Sequence, residues 1–79
     1  MTILERIAEY STPGGMEDWE IPIIQGAIED LQKKGWTDRE IVNKLRWLEH
    51  VDPSVEEDVA LRHMKLADER VALRMGAKA

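Results

Sequence analysis

Apolar residues recur along much of this chain at intervals of three or four positions. The two clearest series are Ile21, Ile24, Ile28 and Leu31, and then Ile41, Leu45 and Leu48. Residues at this spacing share one face of an α-helix, whereas a half-buried strand alternates at every second position. No alternation of useful length occurs in the sequence. The periodicity therefore predicts an all-α fold in which these two stripes form the core.

Polar residues mark where the predicted helices begin and end. A capping box, in which Ser or Thr is followed three residues later by Glu, occurs three times. The pairs are Thr2 with Glu5, Thr37 with Glu40, and Ser54 with Glu57. Asp18 is the candidate cap of the second helix, and Gly35 can adopt the left-handed conformation that ends it. We predict a single helical domain over 1–79, a small bundle of three short helices, about 3–10, 18–34 and 38–50, and one long C-terminal helix, about 55–75.

The long C-terminal helix carries two apolar stripes on nearly opposite sides. One consists of Val55, Val59, Leu66 and Leu73, flanked by Arg62 and Arg70, and the other of Ala60, Met64, Ala67, Val71 and Met75. The first stripe is expected to pack on the three short helices. The second contains small residues and methionine, and is expected to face a second copy of the chain in a homodimer. The alternative is that the first helix, only about two turns long, covers it within the same chain.

The tryptophans lead to different expectations. Trp47 points away from the core stripe of its helix by about 100° or more, and tryptophan is common among interface anchors. We interpret Trp47 as a partner contact, with packing under the last helix or against the STPGG loop at 11–15 as the alternative. Trp19 and Trp36 each lie beside a helix start with apolar neighbours, which predicts core positions or hydrophobic staples.

Gly26 lies inside the second predicted helix. A glycine there costs about 1 kcal/mol relative to alanine. Either a neighbouring backbone approaches closely at this point, or the cost is tolerated.

Charge is divided unevenly along the chain, whose net charge is −5. Residues 1–61 contain six Lys or Arg and fourteen Asp or Glu, whereas residues 62–79 contain five and two. An acidic body repels phosphate backbones and suits basic protein surfaces, and a tail of opposite sign favours self-association. The chain has no cysteine and no apolar run long enough to span a membrane, which predicts a cytoplasmic protein.

The stretch 33–45 resembles the opening helix of helix-turn-helix domains of the response-regulator type. The residues that match its pattern G-x-[ST]-x-x-E-I-x-x-x-L are Gly35, Thr37, Glu40, Ile41 and Leu45. The resemblance implies a DNA-binding regulator with a recognition helix after a tight turn. Here residues 46–50 continue the helix, and the acidic residues 56–58 would face phosphates. DNA binding is retained as the alternative function, with nucleic acid disfavoured as a partner.

Residues suited to catalysis or metal binding are sparse. His50 ends a predicted helix, where a cation complements the helix dipole, and His63 has no second ligand at the spacing of a zinc helix. Gly14 and Gly15 follow no strand and have no lysine partner, so they do not form a phosphate-binding loop. The sequence predicts no catalytic residue, no metal site and no cofactor.

These patterns support one functional hypothesis. We expect a small acidic protein-interaction module that acts as an inhibitor or adaptor, of the accessory or phage type, and is homodimeric through its C-terminal helix. The partner would be a protein with a basic surface, contacted through Trp47 and the carboxylates Glu56, Glu57 and Asp58. Further acidic clusters lie at 17–20 and 29–30. The alternative is that these clusters are solvated helix ends and faces.

Overall fold

The computed structural model describes residues 2–10, 16–48 and 57–76, which form four α-helices and no strand. The helices are α1 (Ile3–Ala8), α2 (Glu20–Lys33), α3 (Asp38–Leu48) and α4 (Glu57–Arg74). The predicted all-α helical bundle is confirmed, and the four described helices overlap the four predicted ones. α4 is the longest helix with 18 residues, but α2 has 14, so the contrast between one long helix and three short ones is weaker than predicted.

Two of the predicted capping boxes are present. At α1 the Glu5 backbone N–H donates to the Thr2 hydroxyl at 3.1 Å, and the Thr2 N–H donates to the Glu5 carboxylate at 3.2 Å. Thr37 and Glu40 make the same pair of bonds at α3, at 3.3 and 2.8 Å. Each box satisfies two backbone N–H groups that a helix start leaves unpaired. Ser54, in the third predicted box, lies outside the described residues.

α2 begins without the predicted cap and ends with the predicted glycine. Trp19 instead of Asp18 occupies the N-cap position, and its side chain makes no capping bond. At the other end Gly35 has a φ of +92°, and the Trp36 N–H donates to the Leu31 carbonyl at 3.1 Å. This left-handed motif turns the chain from α2 into α3.

α3 is the central helix of the bundle. It contacts α1, α2 and α4, whereas α4 contacts α3 alone among the described helices. The core cluster consists of Ile7, Ile24, Ile28, Leu31, Ile41, Val42 and Leu45. Trp36 packs partly buried against this cluster, as predicted for a staple. Ile21 and Leu48, which were predicted to join the core, are exposed, and each belongs to a terminal turn of its helix.

The orientation of α4 is the reverse of the predicted one. The stripe assigned to a homodimer packs within the chain, with Ala67 and Val71 buried and Ala60 and Met64 half-buried. Leu73, on the stripe predicted to face the core, is 76% exposed. The physical reason is that α4 packs on α3, and small residues such as alanine allow a closer helix approach than leucines do. Ala67 and Val71 are therefore covered within the chain, while Met75 of the same stripe is exposed, and a homodimer through this stripe stays a prediction.

The C-terminal end of α4 docks on the corner between α2 and α3. The Arg74 guanidinium donates to both carboxylate oxygens of Glu40, with Nη2 to Oε1 at 2.6 Å, and Nη2 also donates to the Gly35 carbonyl at 3.0 Å. Met75 places its methyl carbon 2.7 Å from the position that a Cβ on Gly35 would occupy. A side chain at Gly35 would therefore disturb both the turn and the docking of α4.

The pair of Glu40 and Arg74 makes this docking sensitive to acid. Hydrogen bonds from Arg74, and next from the Thr37 backbone, lower the pKa of Glu40 from 4.5 to about 2. A carboxyl group whose pKa falls on folding contributes stability above its unfolded pKa, and this contribution is lost as the pH falls through the folded value. We therefore expect the difference in urea midpoint between the wild type and Glu40→Gln to be greatest at neutral pH and to shrink between pH 4.5 and 2. A difference that stays constant over this range would contradict the assignment.

Candidate protein-interaction surface

Large apolar side chains are exposed together where α2 begins and α3 ends. Trp19 is 64% exposed, Ile23 61% and Leu48 51%, and all three line one open concavity of about 270 Å³. Gly26 lies one turn beyond Ile23 on the same side of α2, because a spacing of three or four residues returns to one helix face. We call Trp19, Ile23, Gly26 and Leu48 the α2 surface. Exposed apolar groups gathered in this way mark interaction sites more often than isolated ones do.

The Trp19 ring is held in place although it is exposed. Its indole N–H donates to the carboxylate of Glu17, two residues earlier. The Glu20 carboxylate in turn accepts the Glu17 backbone N–H at 3.3 Å. These bonds satisfy the polar atom of the indole and leave its apolar faces accessible. A side chain that is already oriented loses less conformational entropy on binding than a free one.

No contact within the described chain explains Gly26. A Cβ built on this residue would meet no heavy atom within 4 Å, so no neighbouring backbone requires a glycine here. Of the two explanations raised by the sequence, close approach within the chain is therefore excluded for the described residues. The helix accepts the cost of about 1 kcal/mol at a position that faces outward.

Charged residues of opposite sign flank the two ends of α2. Glu17, Asp18 and Glu20 surround its beginning, while Lys33 and Lys34 close it. Each sign complements the helix dipole at its own end. Asp18 and Lys34 form no ion pair or hydrogen bond with another described residue through their side chains. Their charges are available to a molecule that contacts the α2 surface.

Trp47 lies in a groove between α3 and α4, where its ring stacks on His63 with centroids 4.3 Å apart and planes 6° from parallel. The Arg46 guanidinium lies 5.3 Å from the Trp47 ring on one side and 5.1 Å from the Tyr10 ring on the other. Trp47 is thus half-buried against α4, as the alternative interpretation expected. The groove around it is lined by Arg46 and Arg70 and also by Glu40, so both signs of charge lie beside the ring.

The groove around Trp47 is small. Its cavity holds about 140 Å³, below the range of roughly 300–1,000 Å³ typical of ligand pockets. Arg70 also lines it, and the Arg46 Nε is buried there without a hydrogen-bond partner. The size suits one side chain better than a whole small molecule.

The other predicted site residues that the structure describes lie at the beginning of α4. Glu57 and Asp58 are exposed in the first turn of α4, where acidic residues complement the helix dipole. Glu56 and His50 lie outside the described residues. Within the described ranges no group of three or more His, Cys, Asp or Glu side chains could hold a metal ion. The grouping of Trp47 with these carboxylates in one site stays a prediction.

Trp19, Ile23 and Leu48 were not identified as site residues from the sequence. A signal for Ile23 was present, because it precedes Ile24, the start of the stripe with Ile28, by one position and so points about 100° away from their face. Trp19 and Leu48 carried no such signal, since each occupies a place where core packing is equally common. Their exposure depends on how α2 and α3 are arranged.

In the part of the chain that the structure describes, no helix combines the length and apolar character needed to cross a membrane. Comparison of the chain with protein-family models, curated proteins and solved structures gave no match.

Proposed function

We propose that this chain is a small acidic protein-interaction module of the inhibitor or adaptor type, and that the α2 surface is its binding site. The observation that carries the proposal is the exposure of Trp19, Ile23 and Leu48 around one concavity, with the Trp19 N–H satisfied by Glu17. Burial of such side chains removes apolar area from water at about 25 cal/mol per Å². A protein contact provides that burial.

The chemistry of the partner follows from the charges beside the surface. Glu17, Asp18 and Glu20 favour a partner that presents lysine or arginine next to an apolar side chain. The site predicted from the sequence combined Trp47 with the carboxylates of α4. The proposed site instead combines Trp19 with the carboxylates at the beginning of α2. The expectation of a partner with a basic surface is retained.

The charges of α3 favour a protein over DNA as this partner. The cations that α3 could offer to phosphates are Arg39, Lys44 and Arg46. Lys44 forms an ion pair with Asp68 at 2.7 Å and lies over the Trp36 ring, and Arg46 packs between two aromatic rings. Since phosphate contacts supply most of the affinity in nucleic-acid binding, a helix with one uncommitted cation is poorly suited to it.

The proposal predicts that partner capture depends on Trp19. Truncating an anchoring tryptophan costs about 2 kcal/mol or more, which corresponds to roughly thirtyfold weaker binding. We expect proteins retained from the native cell extract by the immobilised wild type to be lost with Trp19→Ala. Retention should also fall as salt is added, because exposed charges are screened.

The matched control is Leu73→Ala, which removes an exposed apolar side chain from α4. Circular dichroism first checks that both variants are folded. Mass spectrometry then identifies the proteins that each variant retains, which compares the two surfaces directly. Equal retention by the wild type and Trp19→Ala would reject the α2 surface as the binding site.

A further inference from the structure

α2 carries exposed apolar side chains near an acidic beginning and two lysines at its end. Trp19 and Ile23 lie between Asp18 and the lysines Lys33 and Lys34, and all of these residues are exposed, as are the carboxylates at 29–30 that precede the lysines. When a second copy lies antiparallel, the acidic beginning of one α2 meets the lysines of the other. The cationic partner that the acidic end requires is then another molecule of the same chain.

We infer that two copies of this chain associate through antiparallel packing of α2 on α2, with the helices crossing at Gly26. In this arrangement Gly26 faces Gly26 of the second copy and Trp19 faces Lys33. Ile23 lies level with Glu29, and Asp18, just before α2, lies level with Lys34. The ends lie about 12 Å from the crossing, at about 1.5 Å per residue. A shallow crossing of about 20° keeps Asp18 and Lys34 within reach of each other on both sides. The inference rests on the proposed function, because it names a partner for the same surface.

The crossing point accounts for the glycine that the isolated chain does not need. Side chains at a helix crossing set the distance between the axes, and residues without a Cβ allow the closest approach. Gly26 has no neighbour within 4 Å inside the described chain, but it would meet a backbone in the pair. The Lys33 ammonium would at the same time lie over the Trp19 ring of the second copy, an attractive cation–π arrangement.

The exposed stripe of α4 lacks this complementarity. Antiparallel packing of α4 on α4 about Leu66 would place Arg62 opposite Arg70 of the second copy, on both sides of the axis. Like charges in direct opposition weaken association. Self-association through α2 is therefore favoured over self-association through either stripe of α4.

The first measurement is the mass of the full chain by sedimentation equilibrium over a range of concentrations. We expect a reversible rise of the mean mass from 9.1 kDa towards twice that value. Gly26→Gln should weaken the association at least about tenfold, because it blocks close approach at the crossing. Its urea unfolding at concentrations where the chain is monomeric should show no loss of stability, since the position is open and glutamine is the better helix former.

The second measurement tests the antiparallel pairing with two charge reversals. Asp18→Lys puts lysine opposite lysine, and Lys34→Glu puts carboxylate opposite carboxylate, so each variant alone should be at least about tenfold weaker than the wild type in self-association. An equal mixture of the two variants restores opposite charges at both ends of the helix pair and should form a mixed dimer. Asp58→Lys, which makes the same charge change on α4, should associate like the wild type.

Several results would overturn the inference. A wild type that remains at 9.1 kDa up to millimolar concentration does not self-associate in this way. If Gly26→Gln associates as tightly as the wild type, the contact lies elsewhere. The same conclusion follows if the mixture of Asp18→Lys and Lys34→Glu associates no more tightly than either variant alone. If the wild type is monomeric but still captures another protein in a Trp19-dependent manner, this inference fails while the proposed function stands.

Discussion

Val71→Glu is expected to undock α4 from α3, whereas Leu73→Glu, two positions along the same helix, is expected to leave the fold intact. Val71 is 3% exposed and Leu73 is 76% exposed. A carboxylate at the buried position has no cationic partner in the core, and an uncompensated buried charge costs about 3–5 kcal/mol. At the exposed position the same carboxylate stays in water, and the expected change is within about 0.5 kcal/mol.

The two variants form a matched pair. Both place the same charge near the C-terminal end of α4, so they share the unfavourable interaction with the helix dipole. Helix propensity favours Val71→Glu by a few tenths of a kcal/mol, so it cannot explain a greater loss of stability in that variant. Urea unfolding compares their stability, and hydrogen exchange shows where protection is lost. For Val71→Glu we expect the amides of α4 to exchange faster than those of α2, because α3 is the only described helix that α4 contacts. If Leu73→Glu lost more stability than Val71→Glu, the orientation of α4 predicted from the sequence would be the correct one.

Ile41→Ala is expected to produce the second large effect. Ile41 is completely buried at the centre of α3, the helix on which the other three pack. Truncation of a buried isoleucine to alanine costs about 2–5 kcal/mol, through lost burial and the cavity that remains. A chain of 79 residues has a total stability of about 4–12 kcal/mol, so this single change removes a large share of it.

Ile23→Ala is the control, because it makes the same truncation in α2 at a side chain that is 61% exposed. Its effect on stability should stay within about 0.5 kcal/mol, since little apolar burial is lost. Thermal and urea unfolding of the two variants at a concentration where the chain is monomeric provide the comparison. Equal losses of stability would mean that α3 is not the centre of the core.

The helical fold and most of its boundaries were predictable from local sequence. Capping boxes act between residues three positions apart, and the left-handed turn at Gly35 depends on the absence of a Cβ, so neither requires knowledge of the tertiary structure. The stripe of Ile24, Ile28 and Leu31 follows the helical period directly. These features are consistent with one another because all arise from interactions within a single helix or turn.

The candidate site was not predictable to the same degree. Trp19 was expected in the core because it stands at a helix start with apolar neighbours, and the structure exposes it with its indole N–H bonded to Glu17. Trp47 was expected at a partner interface, and it stacks on His63. In both cases the residue type and its local position permit either outcome. The choice is made by which helix lies beside the side chain, and that depends on contacts between residues far apart in the chain.

The same distinction applies to α4. The sequence by itself determined that this segment is a helix with two apolar stripes, because periodicity and charge pattern are local properties. Only the tertiary structure decided which stripe is buried. The small residues fit closely against α3, and the Arg74 bonds to Glu40 and Gly35 hold the helix in that rotation. The free energy that separates the two rotations comes from this packing and these bonds between helices, neither of which is encoded in the pattern of α4 alone.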